Sequence, residues 1–171
     1  MANEHTGSDT VLWLGQARQA APLRALIAAK FHVVDGVPAG EQRFGVIAQS
    51  EDAAAALRLA LDCPEAVTAL ILLGPRLIGA DGRAADESLI VGLGSLKVPL
   101  LTIFGTKDQA APPEAGRHYR ERLASCNVVF VYDAGVAMAE ERPEAVAELV
   151  IDFLRRGDTF LVRQTSDLLY R

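Results

Sequence analysis

The chain has 171 residues, half of them apolar and 23% charged, with a formal net charge of −5. That length suffices to bury the core of one domain, and the acidic balance argues against nucleic acid or an anionic membrane surface as the main partner. The longest apolar stretch, near Val67–Leu73, is too short to span a bilayer. The Met1–Gly7 start has neither a basic nor an apolar leader region, so a cytoplasmic location is expected.

Short apolar runs alternate with amphipathic patterns along the chain. Thr10–Leu14 reads as a first strand, followed by a short helix over Pro22–Lys30 and a second strand over Phe31–Asp35. Further strand-like runs are Phe44–Ala48, Thr68–Leu73, Pro99–Phe104 and Val128–Tyr132. They are continuously apolar and rich in Val, Ile and Leu, as strands covered on both faces should be. Between them, residues 51–63 place Ala53, Ala56, Leu57, Ala60 and Leu61 on one helical face, and Pro64 stops that helix. A weaker helix is expected around 84–96, interrupted by Gly92 and Gly94. Residues 113–124 open on Pro-Pro-Glu and carry Ala115, Tyr119 and Leu123 at helical spacing. Residues 143–156 repeat Val146, Leu149, Val150, Phe153 and Leu154 in the same way.

The expected fold class is therefore α/β: a three-layer sandwich around a mostly parallel sheet of about six strands. One domain spans residues 1–156. Residues 157–171 form a C-terminal extension whose strand-like Phe160–Val162 is expected on a sheet edge or a second subunit. Only Gly36–Arg43 joins the second and third strands, and eight residues reach at most about 28 Å. A bare loop, with no crossover helix, must make that connection, unless that sheet edge is rearranged.

Few residues are candidates for metal or redox chemistry. His5, His32 and His118 are scattered without i, i+4 pairing, and no metal or cofactor is expected. Cys63 and Cys126 lack metal or redox spacing and read as reduced, buried thiols. Gly92-Leu93-Gly94 half matches a dinucleotide loop but lacks the third glycine. Trp13 reads as a core residue of the first strand.

Chemistry concentrates around Ser50, in Ala48-Gln49-Ser50-Glu51-Asp52, where a strand turns into a helix. This run and the stretch after it, through Pro64-Glu65-Ala66-Val67 to Gly74-Pro75, resemble the nucleophile elbow, helix and following strand of the α/β-hydrolase fold family. Val98–Pro113 resembles the strand and loop that carry that family's catalytic acid, which falls at Asp108. Val131–Glu144 resembles the loop and last helix around its catalytic histidine. Val11–Gln16 is similar to its oxyanion loop. The resemblance covers roughly residues 10–156.

It implies Ser50 as nucleophile, Asp108 as the acid, and the N–H groups of Gln16 and Glu51 as donors to an oxyanion or ligand carbonyl. It also exposes departures. The histidine position is Val136, which cannot shuttle the proton a serine nucleophile must lose. The second framing glycine of G-x-S-x-G is Asp52, a side chain and a charge where strand and helix should approach closely. His32 and His118 do not replace the histidine by position, and His118 is expected at the solvent. No lid-sized insertion lies between Leu73 and Pro99.

Ser50 also satisfies capping rules. A serine followed by two acids and an alanine-rich helix is a good N-cap, stabilising by about 1–2 kcal/mol, and that role, or a relic elbow used as a cap, is the one expected here. The two roles differ in backbone angle: an N-cap sits in the β region, an elbow serine at positive φ. Asp108 likewise reads as a turn or capping aspartate. Three functions follow. The first is a small-ligand-binding or protein-interaction module that has lost ordinary hydrolysis, its expected partners being a small-molecule ligand and a second copy of the chain or another protein. The second is a serine hydrolase of small esters or thioesters with a non-standard base such as Asp52. The third is proton transfer by an Asp52–Asp108 carboxylate pair.

Overall fold

The computed structural model describes residues 8–40, 42–123 and 125–159. Six strands form one sheet: β1 (Thr10–Leu14), β2 (His32–Val34), β3 (Phe44–Gln49), β4 (Val67–Leu73), β5 (Leu100–Gly105) and β6 (Cys126–Val131). Their order is β2-β1-β3-β4-β5-β6, and every pairing is parallel. The fully apolar strand runs demanded burial on both faces, and the sheet receives it. Val11, Leu12, Val46, Ile47, Leu70, Ile71, Leu101 and Ile103 are all 0% exposed.

Six helices supply the covering layers: α1 (Ala21–Ala28), α2 (Ala53–Asp62), α3 (Glu87–Gly92), α4 (Ala115–Arg122), α5 (Met138–Glu141) and α6 (Pro143–Arg156). One core joins β-strand residues such as Val46, Leu70 and Phe104 to Leu57 of α2, Ile90 of α3 and Tyr119 of α4. The opposite core joins Ile47, Ile71 and Ile103 to Leu23 of α1, Met138 of α5 and Val150 of α6. Trp13 is buried in this second core. The helix at 84–96 is shorter than the sequence suggests: α3 ends at Gly92, and a 3₁₀ turn over Leu93–Ser95 follows. Asp86 caps α3, its side chain accepting from the Leu89 N–H at 3.0 Å.

The loop after β2 resolves the topological question. β2 and β3 lie on opposite sides of β1, so the connection between them, which holds no helix among its described residues, passes β1 on its way to the start of β3. The strand order thus reverses at β1, and open parallel sheets form their ligand crevice at such a point, beyond the carboxyl ends of the strands.

Cys63 and Cys126 are free and half-buried. Burial pushes the Cys126 thiol up to about 11, so it stays protonated and unreactive at neutral pH. At the C-terminus, Gly157 adopts φ 55 and begins a 3₁₀ turn to Thr159. The strand-like Phe160–Val162 lies outside the described residues. No helix among the described residues is long and apolar enough to cross a membrane.

Candidate functional site

A cleft of about 420 Å³ opens where the β1 and β3 loops meet, at the reversal point of the sheet. Gln16 enters it from the end of β1, and Gln49 and Ser50 from the end of β3. Arg76, two residues beyond the Gly74 that follows β4, closes one side, and Val136 and Glu140 close another.

Ser50 has φ 47, one of three non-glycine residues with positive φ among those described. That is the elbow angle, and it corrects the capping expectation. Gln49, in extended conformation (φ −112, ψ 142), occupies the N-cap position of a 3₁₀ turn over Ser50–Asp52, and no side chain caps that turn. Ser50 is half-buried, and its carbonyl accepts the Arg76 N–H at 3.3 Å. A left-handed serine costs about 1–3 kcal/mol and persists only where its surroundings impose it. Here β3 is fully buried through Ala48 and α2 is pinned by Ala53, both 0% exposed, so strand and helix leave one tight turn between them.

Asp52 departs from expectation too. It does not wedge strand from helix: it has ordinary helical angles (φ −68, ψ −11), precedes α2, and its side chain is exposed at the cleft. The close approach falls one residue later, on Ala53. Glu51 also lines the cleft and pairs with Arg76, whose Nη1 lies 2.8 Å from Glu51 Oε1. On the facing loop, Gly15 takes φ 138, and a Cβ there would sit 2.9 Å from Gln49 Oε1. Any side chain is strained at that angle, which glycine takes freely.

Asp108 does not line the cleft. It is 4% exposed, and its Oδ1 accepts the N–H groups of Ala110 at 2.8 Å and Ala111 at 2.9 Å. It is a turn aspartate, as its sequence context suggests. Its Oδ2 lies 3.1 Å from where a Gly74 Cβ would stand, with the Met138 methyl 3.6 Å from the same point. Asp52 and Asp108 are therefore on different terms, one exposed in the cleft and one spent in its own turn, and no hydrogen bond links them among the described residues.

The loop carrying Val136 is firmly placed. Lys107 N–H donates to Ala134 O at 2.9 Å, Asp133 N–H to Thr106 Oγ1 at 2.9 Å, and Gly135 N–H to Glu141 Oε2 at 2.6 Å. Asp133, at φ 60, pairs with Lys107, which holds its carboxyl below the usual range. Gly105 is pressed against the same loop: a Cβ there would meet Ala134 O at 2.3 Å. This framework delivers Val136 to the cleft as a residue 55% exposed.

His118 is not at the solvent as expected. Its side chain is 16% exposed, its Nε2 lies 3.2 Å from Ala80 O, and its Nδ1 lies 3.6 Å from Glu121. It braces the interval where a lid could stand. Arg122 reaches Gly82 O at 2.8 Å and pairs with Glu87. Tyr119, fully buried, accepts the N–H groups of Leu77 at 2.9 Å and Ile78 at 3.0 Å and donates to Pro75 O at 3.0 Å. A short strap closed by an Ile78–Ala84 bridge results.

Sequence reasoning missed Arg76, Gln19, Gln49 and Glu140 as cleft residues. The available signal was topological: in a parallel sheet the loops after β1, β3 and β4 all open at one end.

No family model matches the chain. It is 33% identical over 67 residues to the human monoacylglycerol lipase ABHD6, a stretch that is 39% of this chain and 20% of that protein. It is 35% identical over 65 residues to the pimeloyl-[acyl-carrier protein] methyl ester esterase of Neisseria meningitidis, 38% of this chain and 25% of that one. The matched stretches thus span a quarter or less of these relatives. Among solved structures, the α/β hydrolase MGS-MChE2 from the metagenome of Mar Chica lagoon sediments superposes with a TM-score of 0.70 at 16% identity, covering 86% of this chain and 90% of the other. The 2-hydroxy-6-oxo-6-phenylhexa-2,4-dienoate hydrolase of Rhodococcus sp. RHA1 gives 0.70 at 15% identity, with 86% and 91% covered. Sheet order, elbow angle and these likenesses together identify the chain as a protein of the α/β-hydrolase fold.

Proposed function

We propose that this chain is a binding module built on a hydrolase fold, holding a small polar ligand against Ser50 without running the serine–histidine acyl-transfer cycle. Val136 carries this reading. It stands in the same cleft as Ser50, on a loop fixed at both ends, and offers no proton acceptor. A serine hydroxyl is almost wholly protonated at neutral pH and attacks only with a base at hand. The nearby acids work against catalysis too. Asp52 and Glu140 line the cleft and would oppose the oxyanion of acyl transfer.

The test is turnover of p-nitrophenyl butyrate by the wild type, Ser50→Ala and Val136→His. The wild type is expected at the background rate, and Val136→His is expected to gain turnover that Ser50→Ala removes from the double variant. Wild-type turnover abolished by Ser50→Ala overturns the reading.

A second reading, a hydrolase of small esters or thioesters, is favoured by the persistence of φ 47 at Ser50. Under it Ser50 attacks, Asp52 accepts the proton, Gln16 and Glu51 N–H groups hold the oxyanion, and Asp108 only supports its turn. Labelling of wild-type Ser50 by a fluorophosphonate, read by mass spectrometry, would support this reading over the first. We further propose a cytoplasmic homo-oligomer. The outer edge of β6 has no strand partner among the described residues, and Phe130 and Tyr132 beside it are 47% and 79% exposed. Light scattering that finds only monomer ends that proposal.

A further inference from the structure

We infer that the cleft contains a carboxylate subsite at Arg76, and that its ligand is a small organic monocarboxylate. This deepens the binding reading above and rests on the cleft being a ligand site. Among the described residues lining the cleft, Arg76 is the cation. Its backbone is fixed from both sides. The Arg76 N–H donates to Ser50 O at 3.3 Å, and the flanking Pro75, Leu77 and Ile78 all bond the buried Tyr119 hydroxyl. The guanidinium is thus carried on a rigid base one hydrogen bond from the elbow.

Its present partner is easily exchanged. Arg76 Nη1 meets Glu51 Oε1 at 2.8 Å, but the Glu51 side chain is 80% exposed and that of Arg76 is 35% exposed. Ion pairs this open to water are weak and screened by salt. The contact uses one of five guanidinium donors, and no other side-chain bond of Arg76 is present among the described residues. A ligand carboxylate can take Glu51's place and accept two parallel N–H bonds, the geometry a guanidinium favours. The Gln16, Gln19 and Gln49 amides in the same cleft can bond the remainder of a polar ligand. Glu51, Asp52 and Glu140 limit the charge it brings: a single carboxylate can pair with Arg76, whereas a dianion sets its second charge against three acids. Glu51 is then a gate, occupying the subsite while it is empty.

The test is an NMR titration of the full chain with butyrate and its uncharged counterpart butyramide, following the Gln16, Ser50 and Glu51 amides. The wild type is expected to bind butyrate about fivefold more tightly than butyramide, a modest preference because Glu51 competes. Glu51→Gln is expected to widen that ratio, and Arg76→Gln to bring it to about one. Inorganic phosphate is expected to bind the wild type more weakly than butyrate. Equal binding of the two probes by the wild type, a preference retained in Arg76→Gln, phosphate binding tighter than butyrate, or no shift with either probe each overturns the subsite. The two readings fail separately. Butyramide binding without a butyrate preference removes the subsite and leaves the binding module. Ser50-dependent ester turnover alongside an intact, Arg76-dependent preference removes the binding module and leaves the subsite.

Discussion

Two loops meet at the cleft, and each contains a non-glycine residue forced to positive φ. At the elbow that residue is Ser50 itself, the one bearing the hydroxyl. In the β6–α5 loop it is Asp133, which anchors the loop through Lys107 and Thr106, while the position facing the cleft is Val136, three residues on. In the first loop strain and chemistry coincide. In the second the strain only holds the backbone, and the chemistry rests on one side chain that bonds nothing. Backbone placement is maintained by many contacts, so it survives the change of a single side chain. A proton-accepting role depends on one group and has no such redundancy.

The largest effect that can break this comparison lies under the second loop. Gly105→Val drives a side chain into Ala134 O and is expected to destabilise by about 3 kcal/mol, read from urea unfolding. If stability is unchanged, the loop is not held as described. Next is Tyr119→Phe, which strips three hydrogen bonds from the strap that bears Arg76. Leaving buried N–H groups at Leu77 and Ile78 unmet should cost about 2 kcal/mol in the same measurement.

The smaller Ser50→Gly change sharpens the elbow side. It relieves a left-handed serine and should stabilise by about 1 kcal/mol. A capping serine would give a slight loss instead. The smallest effect is a control away from both loops. The Ser88 hydroxyl, then the Leu89 N–H and Arg58, pull the Asp86 carboxyl down to about 2. Its contribution is complete above its unfolded value of 3.8 and is lost as the pH falls from there toward 2. Melting curves of wild type and Asp86→Ala should therefore differ near neutrality and converge at pH 2.

These effects also mark what the sequence could disclose. Thr10–Leu14 and Pro143–Arg156 have the boundaries that apolar periodicity indicates, because burial alone sets them. Ser50 reads as a cap because Ser-Glu-Asp before an alanine run satisfies the local rules of a helix start. Its angle is decided by how tightly β3 and Ala53 are buried, which no local rule contains. Val136 was legible as a residue without a proton acceptor, since that is evident from its identity. Arg76 was not, because its importance comes from the meeting of the β3 and β4 loops, which lie 26 positions apart along the chain.

Tyr119 gives the strap its own optical reporter. Burial raises its phenol to about 12. Raising the pH past 10 therefore favours the unfolded chain, where Tyr119 can ionise, and stability falls between 10 and about 12. Tyrosinate absorbance from Tyr119 should therefore appear late, timed to release of the strap, so ultraviolet light can follow that segment letting go.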